Sequence, residues 1–324
     1  MFKTKKNRFV AIELNEYVIR AIVMNSQVIN QAVVYEQPLS AGIIEGDSIR
    51  NEMALFDEFK KIVDVWGIKR HDVRFFVPDS SVMMKSFEHP ADVVSSKLKA
   101  YVEMELGQTI HLPFTNPLID VYDAKPNDGE ATLFAAPSDD VNKIASLLDD
   151  VSLTPTVADV RSLSTIRLLE QLNLFASQKS YLITDWSITG LSISIYTPGK
   201  LEFLRYQAIE TSIKSWESRV VDEHEVTFTY DGEIEEYRML LIDQIAEIDR
   251  ILNFYRFSLY KGEKAVDEII ILGDSPEMDY IVNEMRANYE TPIQFIDDSK
   301  VQGVYPNINA KYIPLIGLVL KEAL

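Results

Sequence analysis

Residues 9–24 read FVAIELNEYVIRAIVM, two apolar runs of strand length either side of a polar break at Asn15 and Glu16. That alternation is the pattern of a β-hairpin. Residues 28–37 follow as a third strand. Leu55, Phe56, Phe59, Ile62, Val63 and Trp66 then recur at helical spacing, with Asp57, Glu58, Lys60, Lys61 and Asp64 on the other face and Gly67 to end the helix. Residues 73–77 form the next strand, closed by Pro78. Strands, a helix and a strand in this order open an α/β domain.

The same opening returns later in the chain. Residues 181–184, 190–196 and 201–206 are three short strands joined by tight polar turns, one of them Pro198-Gly199. A chain of 324 residues exceeds the usual size of a single core, so two related halves are expected. After the second set, residues 226–230 with Asp231-Gly232 and a polar strand beyond predict another hairpin. A long helix follows over about 238–260, its apolar stripe at Leu241, Ile245, Ile248, Leu252, Tyr255 and Leu259 facing a core. The end reads as strand, helix, strand, then a closing helix over 309–323 with Pro314 in its first turn.

Between the two openings the order changes. Residues 83–88 read as a strand and 93–106 as an amphipathic helix; TIHLPFTNPLIDVYD is extended, and Asn127-Asp128-Gly129 is a turn leading into ATLFAAP. A helix over 138–149 has Ser138 as its candidate N-cap. The expected organisation is therefore 1–77 plus 159–178 as a first core and 78–158 as an inserted α+β subdomain, beside that core and away from the second half. Residues 179–324 form the second half, with a smaller subdomain at about 213–265.

Composition narrows the function. Hydrophobic residues at 47% and charged residues at 25% describe a folding chain. With 32 basic and 50 acidic residues the net charge of -18 repels phosphate backbones, so no nucleic acid is expected as a partner. Lys3, Lys5, Lys6 and Arg8 read as a solvated terminus, too few charges to anchor on lipid. There is no cysteine, no signal-peptide pattern and no apolar run long enough to span a bilayer. No direct membrane insertion is expected, and any membrane role must pass through a partner. A Walker phosphate loop, a G-x-S-x-G elbow and an H-E-x-x-H motif are all missing. The four histidines, at 71, 89, 111 and 224, are too scattered for a local metal motif, and His111 reads as a loop residue. Neither a metal site nor a catalytic constellation is predicted.

Two three-strand openings followed by helices suggest the duplicated layout of the actin-like ATPases, and several segments sharpen this. KLKAYVEMELGQTIHLPFTNPLIDVYD, ATLFAAPSDDVNKIASLLDDVSLTPTVADVRSLSTIRLLE and IDQIAEIDRILNFYRFSL, the last with Phe254, Tyr255 and Arg256, fall in order along the chain. In this the sequence resembles PilM-like type IV pilus assembly proteins, a branch of the actin-like, FtsA-related ATPase superfamily. The resemblance covers nearly the whole length. It implies an α/β, actin-like (ribonuclease-H-like) duplicated fold with an inserted α+β subdomain.

In that superfamily two hairpin turns, one from each half, hold the phosphates of ATP with Mg²⁺, and a late Gly-Gly borders the adenosine. Here Glu13 stands where the family has Asp, and Asn15, Glu16 and Tyr17 replace small residues. Asp185 is retained, Trp186 replaces a glycine and Ser187 stays small. Gly273 is kept with Asp274 beside it, and Glu210 and Thr211 replace the glycines expected after Ile209. The resemblance thus implies a degenerate nucleotide site at Glu13, Asn15, Asp185, Ser187 and Gly273, in which the Trp186 indole and the added carboxylates oppose phosphate by bulk and by charge.

The function so implied is a cytoplasmic scaffold of a pilus, secretion or competence machine. It would be recruited to the inner face of the cell membrane by the tail of a PilN-like single-pass protein, and would act alongside motor ATPases. The tail would lie in a groove between the first core and the insertion, where Leu98, Tyr101, Val102 and Leu106 are either wall or core. The alternatives are an active ATP-binding ATPase, which needs intact glycine turns, and an FtsA-like cell-division protein, which needs an amphipathic membrane helix where 309–323 reads as core.

Overall fold

The computed structural model describes residues 8–322, so Lys3, Lys5 and Lys6 of the basic cluster lie outside it. The first half contains β1 (Phe9–Leu14), β2 (Val18–Met24), β3 (Val33–Pro38), the short pair β4 (Ile44–Glu45) and β5 (Ser48–Ile49), α1 (Glu52–Val65) and β6 (Asp72–Phe76). Asn51 caps α1 by accepting the Ala54 N–H at 3.0 Å, and Gly67 leaves the helix at φ +66°. The insertion follows as β7 (Met83–Glu88), α2 (Leu98–Glu105), β8 (Pro117–Tyr122) and β9 (Glu130–Pro137), a three-stranded antiparallel sheet in the order β7-β9-β8. Then come α3 (Ser138–Asp150), β10 (Thr154–Asp159) and α4 (Arg161–Gln171).

The second half runs β11 (Tyr181–Trp186), β12 (Gly190–Thr197), β13 (Lys200–Ala208), β14 (Trp216–Asp222), β15 (Glu225–Tyr230), α5 (Ile234–Asn253), β16 (Glu268–Gly273), α6 (Met278–Asn288), β17 (Ile293–Phe295), α7 (Asp298–Gln302) and α8 (Ile313–Leu320). A π-helical turn at Phe254–Leu259 extends α5 and contains the Phe254, Tyr255 and Arg256 of the sequence resemblance.

The two large sheets repeat one topology. Read from the edge they are β3-β2-β1-β6-β10 and β13-β12-β11-β16-β17. In each, three antiparallel strands continue into two parallel ones. Their apolar faces organise the core in layers. Leu55, Phe59 and Ile62 of α1 and Leu148 of α3 cover one face of the first sheet, while Leu241, Ile248 and Ile281 of α5 and α6 cover one face of the second. Between the sheets lie α4 and α8, with Leu168, Leu315 and Ile316 fully buried. These two helices cross so closely that a Cβ on Gly317 would fall 1.8 Å from the Ser164 carbonyl oxygen.

Several boundaries differ from the sequence reading. Strand β10 completes the first sheet and α3 packs on it, so the insertion proper ends near residue 137 rather than 158. The insertion also touches the second half, since the Tyr122 hydroxyl donates to the Gly199 carbonyl at 2.9 Å and Lys200 pairs with Glu130 at 3.6 Å. Helix α8, though last in the chain, packs against β1 and β2 of the first sheet. Strand β15 pairs with β14 before it, not with a strand after Asp231-Gly232, where α5 begins instead. Every residue of β14 after Trp216 is exposed, so no alternation marked it as a strand. Ser138 is the first residue of α3 and makes no capping bond, because Pro137 precedes it as the cap. Among the described residues no helix is long and apolar enough to cross a membrane.

Candidate functional site

Two sites merit attention: the cleft between the two large sheets and a groove beside the insertion. In the cleft, Glu13 at the end of β1 and Asp185 on β11 approach from opposite halves. The Arg161 guanidinium, at the start of α4, lies between them. Its Nη1 pairs with Glu13 Oε1 and its Nε donates to Asp185 Oδ2 at 2.9 Å. Asp79 Oδ2 is 3.9 Å from that Nε and accepts the Ser192 hydroxyl at 3.0 Å.

A second guanidinium repeats the arrangement deeper in. Arg20, only 2% exposed in the middle of β2, binds Glu36 Oε1 through Nε at 2.6 Å and Asp274 Oδ2 through Nη2 at 2.6 Å. The other Glu36 oxygen accepts Lys311 Nζ at 2.8 Å and the Val226 N–H at 2.6 Å. The Tyr17 hydroxyl donates to Asp274 Oδ2 at 2.7 Å. Burial works against the Asp274 carboxylate, yet Arg20 and Tyr17 hold it below the ordinary carboxylate range. Asp79 goes the other way, pushed well up by burial and by Asp47 and Asp185. Glu16, in the first hairpin turn, is raised by burial and by Asp47, although its Oε1 accepts the Gly46 N–H at 3.0 Å.

The residues named from sequence fall unevenly. Glu13, Asn15, Asp185 and Ser187 line one small cavity, with Asp47 and Asp79 beside them. Gly273 has a different task. Its φ is +142°, and a Cβ there would lie 2.1 Å from the Trp186 carbonyl oxygen, which accepts the Asp274 and Ser275 N–H groups at 2.8 and 3.1 Å. Trp186 does not obstruct the cleft. Neighbouring strand residues face opposite ways, so with Asp185 toward the cleft the indole turns into the core of the second half and is 0% exposed. Tyr17, in the first hairpin, crosses into that same core, where its ring meets Phe228 edge-on, 5.1 Å between centroids.

This geometry does not fit ATP with Mg²⁺. The cavity left among these residues is about 50 Å³, against roughly 300–1,000 Å³ for pockets that hold small molecules. Four carboxylates face it, from Glu13, Asp47, Asp79 and Asp185. Among the described residues no group of His, Cys, Asp or Glu is placed to hold a metal ion. Arg20, Glu36, Asp79 and Arg161 were missed in the sequence. A signal existed for Arg20: a charge inside the apolar run VIRAIVM must be buried and must find partners.

The groove is larger, about 560 Å³. Helix α2 covers one face of the insertion sheet, where Leu98 and Val102 are buried with Leu133 and Tyr101 and Leu106 pack beside them. These residues are core of the insertion, not groove wall. The other face, with Leu118, Asp120, Tyr122, Thr132, Phe134 and Ala136, lines the groove opposite Ala158, Leu163, Ile166 and Glu170 of β10 and α4. Asp159 at its floor is matched by Arg167 at 3.1 Å and Lys321 at 2.7 Å. Strand β8 is an edge of its sheet and lines the groove from Leu118 to Tyr122, while β10 contributes only Ala158 and Asp159 at its end. Leu118 and Tyr122 remain 44% and 46% exposed there.

Comparison with known proteins agrees with this architecture. A structure titled as the PilM-PilN type IV pilus biogenesis complex superposes with a TM-score of 0.72 at 14% identity, over 97% of this chain and 98% of that one. A Bacteroides thetaiotaomicron protein of unknown function, described as having an actin-like ATPase fold, gives 0.52 at 10% identity, over 98% and 97%. At these identities the likeness establishes the actin-like fold. No curated protein matches by sequence. The family model for the type IV pilus assembly protein PilM matches residues 12–314. Since that match spans both halves and the insertion, the chain belongs to the PilM family of type IV pilus assembly proteins.

Proposed function

We propose that this protein is a scaffold of the pilus assembly machine that holds the cytoplasmic tail of a PilN-like inner-membrane protein in the groove between β8 and β10. The observation that carries this reading is the groove itself. It is of ligand size, predominantly apolar, and bordered along Leu118 to Tyr122 by β8, an edge strand with which an extended segment can pair. Strand addition supplies affinity through the main chain, and pockets for alternate side chains supply selectivity. Leu118 and Tyr122 are the anchors offered to apolar side chains. The charged lining balances, with Lys99, Arg167 and Lys321 against Asp120, Asp159 and Glu170, so selectivity rests on the apolar walls more than on the charge of the tail. The tail tethers the chain to the inner face of the membrane, within reach of the motor ATPases.

Titration of a fluorescent peptide from the N-terminus of the partner tests this. Micromolar binding is expected, because ordering a disordered tail offsets much of the contact energy. Leu118→Glu in the groove should weaken it, and Val220→Glu on the exposed strand β14 should not. Equal affinity for both variants would place the tail elsewhere.

A further inference from the structure

We propose that the cleft between the two sheets is a self-occupied site, in which Arg161 and Arg20 are resident cations that hold the halves closed without a nucleotide. Each arginine bridges one carboxylate of the first half to one of the second. Arg161 joins Glu13 to Asp185, and Arg20 joins Glu36 to Asp274. Facing carboxylates at this depth repel unless a cation stands between them. In this chain the guanidinium forks supply that cation from α4 and β2, with geometry suited to carboxylate oxygens. A triphosphate entering the cleft would have to displace Arg161 from both partners and bring its own charge against Asp47 and Asp79. The Tyr17 ring, carried by the first hairpin and seated in the core of the second half, joins the halves by apolar contact as well.

Contact between the halves continues along the edge strand β3. The hairpin β14–β15 reaches over the edge of the first sheet, where the Glu36 N–H donates to the Glu223 carbonyl at 3.2 Å and His224 Nδ1 lies 2.7 Å from the Val34 carbonyl. The Tyr312 hydroxyl donates to the His224 carbonyl at 3.3 Å. A clamp closed in this way keeps the groove beside the insertion in one shape whatever the nucleotide level of the cell.

The chain has no cysteine, so a labelled pair can be placed cleanly. Lys60→Cys on α1 and Ala287→Cys on α6, both exposed, take spin labels on the two outer layers of the full chain. Wild-type cleft residues should give one narrow distance population that millimolar ATP with Mg²⁺ leaves unchanged, and calorimetry should detect no ATP binding. Arg161→Met should lengthen and broaden the distribution, and Arg161→Lys, which keeps the charge, should largely restore it. Should Arg161→Met fail to fold, Arg20→Lys replaces it as the probe, with partial broadening expected. Low-micromolar ATP binding by the unaltered cleft, an ATP-dependent shift in distance, or a folded variant with an unchanged distribution would each overturn the proposal.

Discussion

The groove and the cleft begin at the same turn of chain. Asp159 and Val160, leaving β10, line the groove, while Arg161 enters the cleft. Yet the two sites are finished in opposite ways. In the cleft each arginine bridges carboxylates from the two halves, and about 50 Å³ remains. In the groove Asp159 is paired on the floor, but the walls keep exposed apolar side chains and the edge strand β8 around about 560 Å³. Polar groups that satisfy one another inside a protein leave little for a ligand. Exposed apolar walls leave a good deal. On this chain the charges of the site inherited from the fold are paired with one another, although Glu13 Oε2, Arg20 Nη1, Asp185 Oδ1 and Asp274 Oδ1 are left without a hydrogen bond, and the groove beside the insertion keeps exposed apolar walls.

The comparison breaks most readily at Arg161. Removing one member of a buried ion pair strands the others, so Arg161→Met should destabilise the protein by about 3–5 kcal/mol in urea denaturation. Adding Glu13→Gln and Asp185→Asn to it should recover a large part of that loss, because the charges left unpaired are then gone. A loss below about 1 kcal/mol would mean that Arg161 is solvated in solution and the cleft is open.

A smaller effect is expected from Gly273→Ala. Its Cβ would collide with the Trp186 backbone at a φ that side chains rarely adopt, and such overpacking costs about 1–3 kcal/mol. If Gly273 served phosphate instead, the variant would melt normally.

In the groove the expected change is in binding alone. Leu118→Glu should lower affinity for the partner peptide about tenfold, roughly 1.4 kcal/mol, with the melting temperature unchanged because Leu118 is 44% exposed. Loss of stability there would show that the groove wall is core after all.

The finest test uses pH. Asp79 has its carboxyl raised by burial and by Asp47 and Asp185, with Arg161, Tyr206 and Ser192 also facing the same space. A carboxyl raised on folding contributes most when protonated, below its unfolded value, and that stability is lost as pH rises through the folded value. Asp79→Asn should therefore stabilise the protein at pH 8 by on the order of 1 kcal/mol, with the difference shrinking toward pH 4. Asp274, held low by Arg20, works in the opposite sense, and its stabilising share disappears only as strong acid protonates it. Melting curves across pH 2–9 separate the two.

What could be read from residue order alone was whatever depends on near neighbours. Alternation marked β1, β2 and β11 to β13, the three-to-four spacing marked α1, α5 and α6, and the repeated three-strand opening announced two halves. Side-chain direction and helix face follow from backbone geometry a few residues long, so a single sequence carries them. The same alternation shows Trp186 facing away from Asp185, a signal that placing the indole in the phosphate cradle overlooked.

The state of the two sites was decided by tertiary structure. Arg20 and Asp274 sit near opposite ends of the chain, and Arg161 finds Glu13 and Asp185 only because α4 packs between two sheets. Strand β10 returns to the first sheet after the insertion, and that return sets both the groove's far wall and the position of Arg161. Ion pairing and desolvation depend on separation in space and on what lies between the charges, neither of which is written in residue order. Sequence could list the carboxylates; only the folded chain shows that two arginines already occupy the space between them.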